Sequence, residues 1–194
     1  MKTIYGRQIM RVFIGIPLPD YYQQMLEKIR DEWNNRLTSR LTWTKPGNWH
    51  ITLKFLGDVD NDQVVKLKNY LSGISFKNFA LHGHKSGFFG SRGQYRIFWL
   101  GVYGEVQKLI LLAENLDKGL VDLGFEPEKR PFKAHLTLAR IKNFDKSDPW
   151  KDLSYWVDGL DWPAFNAERV NLWQSILSPR GPTYKVLLSR ELHD

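Results

Sequence analysis

Cysteine is absent from all 194 residues. That absence excludes disulfides, thiolate nucleophiles, iron–sulfur clusters and zinc sites built on sulfur. The fold must rest on packing, which suits a reducing compartment. A long apolar run is missing too: residues 10–18 are apolar but short, and Arg11, Gly15 and Pro17 break them. A signal peptide or membrane span needs a longer stretch, so a first strand, no membrane partner and a cytoplasmic location are expected. With no low-complexity tract or long linker either, residues 1–194 are expected to form a single bilobal domain, active as a monomer.

Acidic residues are in deficit, 21 against 28 Lys and Arg, which leaves a net charge of +7. Such a balance favours polyanionic partners such as RNA, although many soluble proteins carry it for solubility alone. A composition 42% hydrophobic and 25% charged excludes a disordered or collagenous chain.

The apolar pattern predicts elements in a repeating order. Arg11–Ile16 reads as a buried strand ended by Pro17 and Pro19, and Asp20 as the cap of a helix carrying Met25, Leu26, Ile29 and Trp33. Pro46-Gly47-Asn48 marks a turn, a strand follows to Gly57-Asp58, and a helix covers residues 62–71. Phe76–Phe89 reads as a strand or hairpin arm with a flexible tip at Gly90–Gly93. The order then recurs: strand Arg96–Gly101, helix Glu105–Leu123 with Leu109, Leu112, Leu116 and Leu120, a stop at Gly124, a loop with Pro127 and Pro131, and a strand. Two tail strands, Arg169–Leu177 and Tyr184–Arg190, are joined by a turn from Ser178 to Pro182. Two strand–helix–strand units suggest a pseudo-twofold pair of lobes facing each other across a cleft.

Each unit carries one His-x-Thr triplet, His50-Ile51-Thr52 and His135-Leu136-Thr137. The two lie 135 − 50 = 85 residues apart, the separation that also relates Arg11 to Arg96. On a strand His and Thr of a triplet share a face, so four polar groups on two facing strands would surround one tetrahedral phosphate. Phosphodiester cleavage wants an acid and a base at once, and two matched histidines supply both. A single such triplet is commonplace in structural strands; two at equal distance from matching upstream strands are not. Metal binding is the rival use of paired imidazoles, but neither triplet has helical His-Glu-x-x-His spacing or a nearby carboxylate pair. His82-Gly83-His84 places two imidazoles on one face and reads as a solvated strand end, and His193 in the tail as inert.

Strict alternation puts Ile51, Leu53 and Phe55 on the face opposite His50, and Lys54 with His50 and Thr52 as a contact for backbone phosphate. It puts Arg140 opposite His135, so a phosphate-clamping role needs the strand end to curl inward; a structural salt bridge is the alternative. Phe55 and Phe132 are candidates to stack on a base or to fill the core. Arg180 and the tip Gly90-Ser91-Arg92-Gly93 are candidates to touch RNA or are simply solvated loops.

The flanks of the triplets, Trp49-His50-Ile51-Thr52-Leu53-Lys54-Phe55-Leu56-Gly57 and Arg130-Pro131-Phe132-Lys133-Ala134-His135-Leu136-Thr137-Leu138-Ala139-Arg140, resemble the signature pair of the 2H phosphoesterases. Within that superfamily they are most similar to the RNA 2′,3′-cyclic phosphodiesterases, also called 2′-5′ RNA ligases. The likeness runs from Arg11-Val12-Phe13 to Gly181-Pro182-Thr183-Tyr184, departing where Trp49 replaces a smaller aliphatic and Ala134 a proline. It implies an α+β, bilobal fold: two pseudo-twofold-related lobes with mainly antiparallel sheets, helices outside and a central cleft. It also implies hydrolysis of 2′,3′-cyclic phosphate ends of RNA to 2′-phosphomonoesters with no metal and no cofactor. His50 would be the proton donor, His135 the proton acceptor, and Thr52 and Thr137 the phosphate-binding hydroxyls. The near-symmetry of the two motifs permits the reverse assignment. Ligation to a 5′ hydroxyl would be the reverse reaction on the same groups. Two alternatives stay open: a phosphodiesterase for 2′-5′-linked oligonucleotides, and an RNA-binding module that only grips a terminal phosphate.

Overall fold

The computed structural model describes every residue except 1, 5, 6, 92, 180 and 194, and only the backbone before residue 9. In chain order the elements are β1 (Lys2–Ile4), β2 (Arg7–Pro17), α1 (Asp20–Trp33), β3 (Arg40–Trp43), β4 (His50–Val59), α2 (Asn61–Ser72), β5 (Phe79–Ser91), β6 (Gln94–Gly104), α3 (Val106–Val121), β7 (His135–Asn143), α4 (Trp150–Asp158), β8 (Phe165–Ala167), β9 (Arg169–Ile176) and β10 (Thr183–Glu191). The strands form a path β10-β9-β2-β4-β7-β6-β5-β8, with β1 on β2 and β3 on β7. Every ladder in that path is antiparallel. The fold is α+β, an open antiparallel sheet with four helices packed on it.

The helices follow from their sequences. Leu109, Leu112, Leu116 and Leu120 recur every three to four residues on α3 and all are buried. Beyond it Gly124 takes φ +85°, a left-handed conformation that stops the helix where glycine is best tolerated. For α2 the cap is a reciprocal box: the Gln63 backbone N–H donates to Asp60 at 2.9 Å, while the Gln63 amide accepts from the Asp60 N–H at 3.1 Å. Asp20 does not cap α1; it is the first helical residue, behind Pro19, and acts through its charge at the positive end of the helix. Four elements have no counterpart among those expected from sequence: the short strands β1, β3 and β8, and α4, whose Trp150, Leu153 and Val157 stripe does carry helical spacing.

The repeat of 85 residues extends through most of the chain. Shifted by that amount β2 falls on β6, α1 on α3, β4 on β7, α2 on α4, and β5 on β8 and β9. The two triplet-bearing strands, β4 and β7, meet at one backbone pair, Ile51 opposite Leu136, and those two residues are themselves each other's equivalents (136 − 51 = 85). The pseudo-twofold axis therefore passes between them. Both side chains are buried, and the core continues under both halves from Val12 and Ile14 to Leu172 and Leu192. The rest of that edge of β7 is taken by β3, with Thr42 opposite Arg140.

Candidate active site

Antiparallel pairing at Ile51 and Leu136 sets the four triplet side chains in a square. One residue to either side, His50 comes opposite Thr137, and Thr52 opposite His135. Ile51 and Leu136 point into the core, so all four polar residues lie on the opposite, cleft-facing side, each partly exposed.

Both rings are held alike. His50 Nδ1 lies 2.7 Å from the Asn48 carbonyl and His135 Nδ1 lies 2.7 Å from the Lys133 carbonyl, each two residues back along its own chain. A carbonyl only accepts, so Nδ1 carries the proton and Nε2 is left for chemistry. At His50, Nε2 lies 2.9 Å from the Thr52 hydroxyl, which donates to it while the ring is neutral.

The rings differ in their surroundings. His50 sits in an aromatic box, with ring centroids 4.7 Å from Phe13, 5.3 Å from Trp173 and 5.3 Å from Tyr184. Burial there pushes its pKa from 6.5 down to about 4, opposed by the Asn48 carbonyl and assisted by the nearby His135. Among the described residues His135 makes one ring contact, edge-to-face with Phe89 at 5.1 Å. Its pKa is also lowered, first by burial and then, against the pull of the Lys133 carbonyl, by the Lys133 charge. In the free protein both rings are accordingly neutral near pH 7.

Immediately beyond the triplets strict alternation fails at one equivalent place in each strand. In β4, Thr52 pairs with Gly15 and Lys54 with Ile14, so Leu53 is an extra residue in the ladder. In β7, Thr137 pairs with Trp99 and Ala139 with Phe98, so Leu138 is the extra residue. These bulges are equivalents (138 − 53 = 85). Each flips the parity of the residues C-terminal to it, so two consecutive residues point inward and the next points to the cleft.

Three side-chain placements are corrected by this. Lys54 does not share the cleft with His50; it is 3% exposed, with its ammonium on the Asp117 carboxylate and 2.7 Å from the Glu126 carbonyl. Its role is structural, clamping β4 to α3 and the loop after it. Phe55 does not fill the core; it is 63% exposed and lines the cleft. Arg140 lies on the cleft side with His50, Thr52 and Thr137, brought there by the bulge at Leu138 rather than by a curling strand end. Phe55 and Arg140 are thus equivalents (140 − 55 = 85), one aromatic and one cationic, facing the same space from opposite lobes. Phe132 is half-buried and lines a groove on the far side of Thr52 and His135. Arg180 and Arg92 lie outside the described residues.

Tyr184 is legible in the sequence only as the close of the similarity. Antiparallel pairing of β10, β9 and β2 brings it against Phe13, 4.8 Å between centroids, and over His50. Burial raises its pKa while the Arg140 charge opposes that. Phe13 and Trp173, the other walls of the box, give no sequence signal beyond ordinary strand apolarity. His82 and His84 share a strand surface beside Tyr103, away from the four triplet groups. His193 is used by the tail, its backbone bonded to Phe76 and Asn78. Among the described residues, no three His, Asp or Glu side chains gather as a bound metal ion would require.

Comparison with known proteins finds the same 85-residue repeat and the same fold. The family described as LigT like Phosphoesterase matches the chain twice, over residues 16–99 and 101–184, which are again 85 residues apart. The chain is 33% identical over 178 residues to the RNA 2′,3′-cyclic phosphodiesterase of Archaeoglobus fulgidus, covering 92% of this chain and 98% of that protein. It is 31% identical over 182 residues to the protein of that name from Thermotoga maritima, covering 92% and 93% respectively. Among solved structures, TT0787 of Thermus thermophilus superposes with a TM-score of 0.76 at 26% identity, over 94% of this chain and 98% of that one. E. coli LigT in apo form superposes at 0.75 over 96% and 99%, with 22% identity, a likeness of fold.

Proposed function

Because this chain belongs to the LigT-like phosphoesterase family, we propose that it opens 2′,3′-cyclic phosphate ends of RNA to 2′-phosphomonoesters by metal-independent acid–base catalysis, as one bilobal unit acting as a monomer. The observation that carries this reading is the pair of imidazoles, each with Nδ1 tied to a backbone carbonyl and Nε2 left over, related through the Ile51–Leu136 pair. The names of the relatives point to the same substrate.

In this reading the cyclic phosphate sits over the square of His50, Thr52, Thr137 and His135. His135 Nε2 takes a proton from a water, whose oxygen bonds to phosphorus as the P–O3′ bond breaks. His50 Nε2 gives its proton to the departing O3′, leaving a 3′ hydroxyl and a 2′-phosphate. Exchange with solvent restores the two protonation states. Thr52 and Thr137 donate to the non-bridging oxygens as their charge grows, and the Arg140 guanidinium adds a fixed positive charge. Phe55 offers a face for the terminal base.

A ring that is neutral in the free protein must acquire a proton before it can act as the acid. The phosphodiester anion supplies the reason: negative charge beside an imidazole favours its charged form. Once protonated, His50 Nε2 donates rather than accepts, which releases the Thr52 hydroxyl to the phosphate. His135, with the more open ring, is the group better placed to receive a proton from water.

The test is to incubate the protein with a 2′,3′-cyclic mononucleotide in excess chelator and follow appearance of the 2′-monophosphate. Turnover should survive chelation and fall by about 10²–10⁴-fold in His50→Ala and in His135→Ala alike. Binding of a terminal phosphate without turnover would leave only a binding module. Turnover confined to 2′-5′-linked oligonucleotides would change the substrate.

A further inference from the structure

Two spaces open from the square of triplet residues, and they differ in kind. On the Arg140 side is a narrow cleft of about 90 Å³ that also holds Lys45 and Tyr184. On the His135 side is a groove of about 940 Å³ between α3, the end of the β5–β6 hairpin and the loop before β7. Thr52 and Phe55 line both, so the groove is continuous with the cleft.

The groove has the chemistry of a track for a single nucleic-acid strand. Phe55, Phe89 and Phe132 line it, and Lys129, Arg130 and Lys133 stand exposed beside them. The Lys133 ammonium lies 5.7 Å from the Phe89 ring centroid, and the Phe89 ring in turn meets His135. Three acids share the lining. Asp117 is neutralised by Lys54, leaving Glu114 and Glu128 against three cations that make no ion pair among the described residues. Aromatic faces interleaved with unpaired cations bind single strands by stacking and phosphate contact without reading sequence. Buried ion pairing at Lys54 and Asp117 keeps the floor closed, so the strand lies on the surface of the groove.

We propose that this groove carries the nucleotides 5′ of the cyclic phosphate, so that the protein selects RNA chains over cyclic mononucleotides. The inference deepens the function proposed above and rests on it for the position of the RNA end. Phosphates of the incoming strand follow residues 129–133, and its bases turn toward Phe89 and Phe132. A strand phosphate beside Lys133 also offsets the charge that adds to burial in lowering the His135 pKa, linking chain binding to the site.

The test compares a five-nucleotide RNA ending in a 2′,3′-cyclic phosphate with the corresponding cyclic mononucleotide, in the wild type, Lys129→Ala/Arg130→Ala and Phe132→Ala. The double variant should lose about tenfold or more in kcat/KM on the oligonucleotide at low salt, while its turnover of the mononucleotide stays within about twofold. The salt dependence of its oligonucleotide reaction should become shallower, by about 0.7 in log–log slope for each phosphate contact removed. Phe132→Ala should weaken the oligonucleotide alone and keep the salt slope. Binding of the same RNA ending in a 3′-monophosphate, read by fluorescence anisotropy, should weaken in parallel and does not depend on turnover. Equal losses on both substrates, or unchanged RNA binding in the double variant, overturn the groove assignment. Absence of turnover of both substrates in the wild type overturns the proposed chemistry instead, and the anisotropy result still decides the groove.

Discussion

Replacing Lys54 by Met separates two uses of the same side chain. Methionine keeps most of the buried stem and removes the ammonium, so packing is nearly preserved while two charge-assisted contacts vanish, to Asp117 and to the Glu126 carbonyl. Such contacts contribute about 1.5–3 kcal/mol each, but the substitution also relieves the cost of burying a cation, which offsets part of the loss. Asp117 is only 20% exposed and keeps the backbone N–H of Glu128 at 3.1 Å, so it becomes an undercompensated anion rather than an orphan. The net expectation is a loss of about 2–4 kcal/mol, which in a domain of this size lowers Tm by about 5–15 °C. Removing both partners in Lys54→Met/Asp117→Leu should recover most of that loss, giving a coupling energy of about 1–3 kcal/mol in a double-mutant cycle. Urea or thermal unfolding reads the stability, and kcat/KM on a cyclic mononucleotide below the unfolding range should stay close to wild type. A Lys54→Met protein of unchanged stability with weakened, less salt-dependent RNA binding would refute the reasoning. It would show that β4 keeps strict alternation and presents Lys54 to the substrate.

Three further outcomes follow from the geometry. The reaction needs one protonated and one neutral imidazole, and burial lowers both in the free protein. A pH profile of kcat/KM on the cyclic mononucleotide should therefore peak below pH 6.5 and fall about tenfold per pH unit above the higher apparent pKa of the pair; an optimum above about pH 7.5 would contradict the burial argument. Stability carries the same signature. His50 titrates at about 4 when folded and 6.5 when unfolded, so the unfolded chain binds the extra proton between those values and stability is lost as pH falls through that window. The total is about 3 kcal/mol, and His50→Gln should remove that share of the acid sensitivity when urea midpoints are compared at about pH 4 and pH 7. Gly15→Ala should cost about 1–3 kcal/mol and depress turnover, because the new Cβ would come 2.5 Å from the Ile51 carbonyl and 3.1 Å from Trp173, forcing β2 away from the strand that holds His50. Differential scanning calorimetry beside the mononucleotide assay checks both effects.

The triplets, their 85-residue spacing and the order of the long elements are local properties, and the sequence by itself determined them. His-x-Thr puts two polar groups on one face of a strand by period alone, and the leucines of α3 repeat every three to four residues whatever they pack against. Sequence also determined that the two halves are alike, hence that an acid and a base arrive as a matched pair. Only the tertiary structure decided where Lys54, Phe55 and Arg140 point. The extra residues at Leu53 and Leu138 arise from pairing with β2 and β6, strands about 40 residues earlier in the chain, and no local pattern announces them. The aromatic box was decided in the same way. Phe13, Trp173 and Tyr184 come from three separate strands, and their closure around His50 makes its environment unlike that of His135. Period fixes the face within a strand; register and bulges are fixed by the neighbouring strand, and in this protein they convert a symmetric sequence into an asymmetric site.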